Sequence, residues 1–431
     1  MLNVLLVLLV PLLLALFASR VTRAYATEDY TPPLVPMCML AFVFRAVMFY
    51  IGNTVQFFSH EAGGDSRAYA YYAELIIKMW ERSGIHYIDK EELFELGATS
   101  LPPNFHAFLA LLNGGELARE GGAALSALFC GVTALNLFSL CLDLGASHKR
   151  ALWMAAITLF LPSMVLYSSD IYKDPMVWML TLGMLGSTLR LMRSINARDV
   201  IIAILCCWCL WYIRFYLLFL AATPLAIGLL GLNSKNPGRT LLIVLLGIGL
   251  TIPIVAYTRV LGDVTDRATD TFEMSTSLAV RAGTARVAGS GVVFDDGGNP
   301  LGALPQKLVY TLFAPFVWQA GSLGFNLGKI DALAMTYIVW RAIKGGRILF
   351  RTDPSALLVL LSFIIPTAFA YAITLNNIGT TLRQRIPVLL GLMLLASLSW
   401  NDQEEEVTDE ADEAEADEPE DDETITQQVA G

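Results

Sequence analysis

Long apolar runs separated by short polar gaps set the pattern of this chain. Residues 2–17 form the first run and 34–58 the second, followed by 122–144, 151–167, 175–192, 200–232, 240–257, a run ending near 343, 354–375 and 386–400. Most of them are long enough, or nearly so, to cross ~30 Å of hydrocarbon as a helix. Residues 200–232 are too long for one span, and Arg214 interrupts them, so two helices meeting at an outward hairpin tip are expected. The pattern predicts an all-α, polytopic transmembrane bundle of about eleven helices over residues 1–400. The first run lacks the charged leader and small-residue cleavage site of a signal peptide, which makes it a membrane helix.

The cations between the runs orient the bundle. Arg20, Arg23, Lys149, Arg150, Arg190, Arg193, Arg198, Lys344, Arg347 and Arg351 fall at alternate ends, which the positive-inside rule assigns to the cytoplasm. The N-terminus is then outside and the C-terminus inside, in an inner (plasma) membrane of bacterial type.

Three polar stretches face outward in this scheme. In residues 60–104, Tyr69, Tyr72, Ala73, Ile76, Met79 and Trp80 share one helical face and Arg67, Glu74, Lys78 and Glu81 the other. That is the signature of an amphipathic helix lying on the membrane interface, with Asp65 at its start. Residues 258–305 are rich in Gly, Thr, Asp and Arg and read as an irregular loop, a candidate lid. LVYTLFAPFVW after them is a short re-entrant or interfacial piece, and NNIGTTLRQR lies at the outer surface.

Composition changes the picture at one place. Hydrophobic residues make up 55 % of the chain and mean hydropathy is +0.56, yet the formal charge is -10. Residues 401–431 hold 15 of the 39 acids and none of the 29 Lys and Arg, which leaves 24 acids against 29 bases, or +5, for residues 1–400. A basic membrane body therefore carries an acidic tail too polar to fold, expected to be disordered in the cytoplasm. The six cysteines all lie in apolar runs and predict no disulfide framework. Cys206, Cys207 and Cys209 have no fourth ligand nearby, so no metal is expected. No Gly-rich phosphate loop is present, which argues against ATP as a direct fuel, and no cofactor is called for.

The unusual charges gather on the outer side. Glu61 and Asp65 follow the second run, SSDIYKD (168–174) joins the fourth and fifth with Asp170, Lys173 and Asp174, Arg214 marks the hairpin tip, and Arg383 and Arg385 precede the last run. Each has an ordinary alternative. Asp65 and Asp174 are suited to capping the helices they precede, the latter with Pro175 at the first helical position. Lys173, Arg383 and Arg385 are suited to anchoring in the headgroup layer. As a set they suit a lipid-linked sugar phosphate: arginine and lysine hold the phosphate at the interface, and a carboxylate takes the proton of an acceptor hydroxyl. Tyr69, Asp170 and Tyr216 would support that set.

Five motifs, GGDSRAYAYYAE, FLPSMVLYSSDIYKDPMVWML, WYIRFYLLFL, LPQKLVYTLFAPFVW and TLRQRIPVLL, occur in order over about 60–395. Together they resemble the integral-membrane glycosyltransferases of the GT-C superfamily, especially family-39-like proteins. The resemblance implies a polyprenyl-phosphate sugar donor used on the outer face of the membrane. It also implies an acid of the first outer loop as catalytic base, a role that falls on Asp65 or, second, Glu61. The chain departs from the family in that its candidate acids, Glu61 and Asp65, are four apart, where the familiar two-acid motif has one residue between them.

The expected function is thus a membrane glycosyltransferase in cell-surface polysaccharide or glycolipid assembly. Its partners would be a lipid-linked donor, a glycan or lipid acceptor, membrane lipid and polysaccharide assembly proteins, and no nucleic acid. One alternative is an O-antigen-type polymerase or ligase, which would rely on Arg259, Arg267, Arg281 and Arg286 of the long loop. A scaffold or transporter of the assembly machinery is the non-enzymatic alternative. Transport fits less well, because the charges sit at helix ends and no repeat is visible.

Overall fold

The computed structural model describes residues 2–28, 30–55, 63–96, 99–214, 303–321, 323–373 and 378–399, together with Leu217, Leu220, Pro224 and Leu225. Within them the regular structure is helical, without a strand. A helix satisfies its own backbone, which apolar segments without access to water require. The first two runs become α1 (Leu2–Tyr25) and α2 (Leu34–Val55), and the polar segment after them yields α3 (Gly63–Ser83) and α4 (Leu101–Leu112). Next come α5 (Arg119–Asp143), α6 (His148–Phe160), α7 (Pro162–Tyr167), α8 (Asp174–Arg193) and α9 (Ala197–Ile213). The last group is α10 (Leu304–Phe313), α11 (Leu323–Thr352), α12 (Pro354–Ile373), α13 (Ile378–Gln384) and α14 (Ile386–Ala396). Glu61, Tyr216, most of the expected span 215–232, all of the span 240–257, nearly all of the 258–305 loop and the tail 401–431 lie outside the described residues.

Four of these helices, α1, α2, α5 and α12, are long and apolar enough to cross a membrane; α13 and α14, bent by 48°, add a fifth when taken as one span. Three local expectations change. Residues 151–167 are not one helix: Pro162, which lacks an N–H and crowds the preceding turn, closes α6 and starts α7. The run expected to end near 343 continues to Thr352, about 45 Å of helix. The polar stretch NNIGTTLRQR, expected at the outer surface, contains α13, whose Ile378, Thr381 and Leu382 are buried.

α5 sits at the centre, packed on α1, α2, α6 and α8. Its small residues make this possible: a Cβ on Gly131 would lie 2.5 Å from a methyl carbon of Leu14 on α1. The apolar face of α3 is covered by protein, with Ala73, Ile76, Ile77 and Trp80 packed against Ala107 and Ala110 of α4 and against Ile88 and Leu96. α11 meets α14 still more closely, since a Cβ on Gly345 would fall 1.7 Å from the carbonyl oxygen of Leu395. A backbone atom cannot rotate away as a side chain can. Gly345→Val is therefore expected to cost at least the upper end of the about 1–3 kcal/mol typical of overpacking, seen as a lowered unfolding midpoint in detergent. Gly346→Ala, with no neighbour closer than 3.8 Å, should leave the midpoint nearly unchanged.

The bundle has two chemically distinct ends. At one, Tyr25 donates to Asp143 (3.1 Å), Arg193 donates to the Asp143 carbonyl (2.8 Å) and Arg190 pairs with Asp199 (2.8 Å). At the other, Asn3 meets Asn113 and Gly121, and the 168–174 turn meets α3, α9 and α13.

Candidate functional site

The 168–174 turn reaches α2, α3, α5, α9 and α13 through its side chains. It is too brief to form regular structure, and its polar side chains must find partners elsewhere. Ser168 Oγ accepts from Arg45 Nε on α2 (2.6 Å). Asp170 accepts from Ser66 Oγ on α3 (2.6 Å) and pairs with Arg119 of α5 (2.7 Å). Lys173 Nζ donates to Thr99 Oγ1 (2.9 Å), just before α4. Asp174 pairs with Arg214 at the end of α9 (2.7 Å), and its second oxygen lies 3.8 Å from Arg383 Nη1 of α13. Arg383 Nη1 also pairs with Asp65 Oδ2 on α3 (2.5 Å).

Two acids and three cations thus converge from α3, α8, α9, α13 and the turn. Asp174 and Arg214 form its dry floor, with side chains 0 % and 4 % exposed. Asp65 is the open member, its side chain 38 % exposed above a largely buried Arg383. The cations are framed by aromatic rings: Lys173 lies 5.8 Å from the Tyr69 centroid and Arg383 5.9 Å from that of Tyr167. Among the described residues Arg383 Nε has no hydrogen-bond partner, so one buried donor remains unspent.

Burial opposes the charged form of Asp65, but Arg383 and then Lys173 outweigh it and hold its carboxyl below the ordinary carboxylate range. Lys173 goes the other way. Burial and then Arg214 push its ammonium down to about 7, against the opposing pull of Asp65 and Asp174. Burial, then Asp65 and Asp174, raise the Tyr69 phenol well above its usual range, so it stays neutral.

Beside the cluster lies an apolar cleft of about 300 Å³ between α2, α7, α11 and α13, lined by Phe44, Met48, Leu166, Phe325 and Leu382. Tyr167 is common to both sites, lining the cleft while its ring lies near Arg383. The cleft's polar wall is Asp331, which accepts from the backbone N–H (3.1 Å) and the hydroxyl (2.6 Å) of Ser163 at the start of α7.

Asp65, Lys173, Arg214 and Arg383 therefore share one site, with Tyr69 and Asp170 at its edge, while Glu61 and Tyr216 lie outside the described residues. Arg385 belongs elsewhere. It stands at the break between α13 and α14 and donates to the carbonyls of Leu312 (3.1 Å) and Ala314 (2.6 Å) at the end of α10. The capping expectations also change. Asp65 stands in the first turn of α3 rather than at its cap. Lys173 occupies the cap position of α8, without a side-chain capping bond, and the Asp174 carboxylate is turned to Arg214 and Arg383. Partnership with buried guanidinium outweighs a single backbone N–H.

Ser66, Thr99, Arg119 and Arg45 also partner the turn. Arg45 had a signal, a lone cation inside AFVFRAVMFY, as did Lys307 in LPQKLVYTL and Asp331 in GKIDALAM; all three are buried. Ser66 and Thr99 carried none, being ordinary hydroxyls in polar segments. Among the described residues no three His, Cys, Asp or Glu side chains gather as metal ligands. Searched against family models, curated proteins and solved structures, the chain matched none.

Proposed function

We propose that this protein is a membrane glycosyltransferase that takes a sugar from a polyprenyl-phosphate donor at this end of the bundle. The observation that carries the reading is the juxtaposition of an open carboxylate, Asp65, with Lys173, Arg214 and Arg383 beside an apolar cleft. The cations suit the donor phosphate and the charge it gains as the sugar leaves, and the cleft suits a hydrocarbon chain. Asp65 is the base that accepts the acceptor hydroxyl's proton as that oxygen attacks the anomeric carbon and the carbon–phosphate-oxygen bond breaks.

The pair between Asp65 and Arg383 gives the sequence of events a physical basis. A carboxylate held by a guanidinium is a weak base. A donor phosphate competing for Arg383 loosens that hold and makes Asp65 more basic when the donor is in place. Asp170, through Ser66 and Arg119, fixes the α3 turn that carries Asp65.

The reading is tested by transfer in proteoliposomes, offering polyprenyl-phosphate sugars and nucleotide sugars to the purified protein in parallel. Transfer from the lipid-linked donors alone is expected; transfer from nucleotide sugars alone would sink the proposal. The pH dependence follows from Lys173. Its ammonium is charged below about 7 and lost above it, while a phosphodiester keeps its charge throughout. Donor affinity is therefore expected to fall by about tenfold between pH 6 and pH 8, as loss of one charge-assisted contact implies. Lys173→Met should bind weakly at both pH values, and an unchanged pH profile in that variant would exclude Lys173 as the source.

A further inference from the structure

The end of the bundle opposite the candidate site carries a large positive excess. Exposed cations there come from four helices: Arg23 of α1, Lys149 of α6, Arg193 of α8, and Lys344, Arg347 and Arg351 of α11. Of the described acids at this end Glu28 is exposed, and the others are engaged within the bundle. Asp143 accepts from Tyr25, Asp199 is buried against Arg190, and Asp353 accepts from the backbone N–H of Ala356 (3.0 Å).

The chain leaves its described part at this same place. After α14 the 3-10 turn Ser397–Ser399 packs on α6 and α11, and Arg341 Nη2 donates to the Ser399 carbonyl (3.0 Å). Arg341 is one turn of α11 before Lys344, so the tail begins beside the basic face. Residues 402–423 then supply fifteen carboxylates with no Lys or Arg among them. At most ~3.6 Å per residue, Asp402, Glu404, Glu405 and Glu406 stay within about 25 Å of Ser399 whatever path the chain takes. A tether this short gives an effective concentration on the order of mM.

We infer that the acidic segment 402–423 binds in cis to the basic end, principally to Lys344, Arg347 and Arg351, and so screens that face from external polyanions. The attraction is between exposed charges, so it is strong at low ionic strength and screened within ~10 Å at 0.1 M salt. This inference does not depend on the transferase reading.

The first test is zero-length carbodiimide crosslinking of the full chain in phosphatidylcholine nanodiscs. Amide links from Lys149 or Lys344 to acids of 402–423 within one chain are expected at 50 mM NaCl and should be lost at 500 mM. Absence of such links at 50 mM would overturn the inference. The second uses a labelled peptide of sequence 402–423 and the full-length chain with the fifteen acids replaced by Asn and Gln. The neutralised chain should bind the peptide, with at least tenfold weaker binding to the unmodified chain and to the neutralised chain carrying Lys344→Gln, Arg347→Gln and Arg351→Gln. Equal binding by all three would contradict the inference. So would a neutralised chain that ignores the peptide and instead retains phosphatidylglycerol, which would assign the face to anionic lipid.

Discussion

Asp65→Asn is expected to lower the rate of sugar transfer by about 10²–10⁴-fold while the protein is still made, folded and able to bind donor. The substitution keeps the shape of the side chain and its place in the first turn of α3, but removes the proton acceptor. It also removes a competitor for Arg383, so donor affinity should hold or improve as turnover collapses. That split separates a base from a structural carboxylate. Loss of Asp65 as a mere strut would lower the unfolding midpoint and donor affinity together. Retention of full turnover would remove Asp65 from the chemistry.

The second large effect concerns the floor of the site. Asp174→Asn leaves the Arg214 guanidinium buried without its counter-charge, and breaking such a pair costs about 3–5 kcal/mol. The unfolding midpoint in detergent should fall accordingly. Replacing both residues by apolar ones of similar size, Asp174→Leu with Arg214→Met, should recover much of the stability, because the cost of burying two charges disappears with them. Donor binding should not recover, since the phosphate loses a cation. A single variant as stable as the parent would show that the two charges are less coupled than their 2.7 Å separation implies.

How much of this was legible in the sequence differs by residue. Asp65, Lys173, Arg214 and Arg383 were readable because charges are rare among apolar runs, and counting spans places them at one end. In the described residues these four side chains pack together at one end of the bundle. What each charge does there was less readable. Asp174 before Pro175 carries a strong capping signal, yet its carboxylate serves Arg214 and Arg383, because a tertiary ion pair outweighs a local bond. Arg385 looked like a twin of Arg383, but from the break between α13 and α14 it reaches the α10 carbonyls instead. The broken helix at Pro162 was legible in principle, since proline there stops one helix and starts another. The partners Ser66, Thr99 and Arg119 were beyond reach, because only the folded arrangement distinguishes them from other hydroxyls and cations.

The turn at 168–174 ties these strands together. Its Ser168, Asp170, Lys173 and Asp174 hold α2, α3, α5, α9 and the approach to α4, and with them the relative positions of Asp65 and Arg383. The cluster built this way is fixed by buried pairs below and left open at Asp65 above.

The most direct measurement is the affinity of the full chain, in phosphatidylcholine nanodiscs, for a polyprenyl phosphodiester and for the matching polyprenyl alcohol. The phosphodiester is expected to bind at least tenfold more tightly than the alcohol, with Arg383→Gln erasing the difference. Equal affinity for the two lipids, or an Arg383→Gln protein that still prefers the phosphodiester as the parent does, would contradict a phosphate site at Arg383.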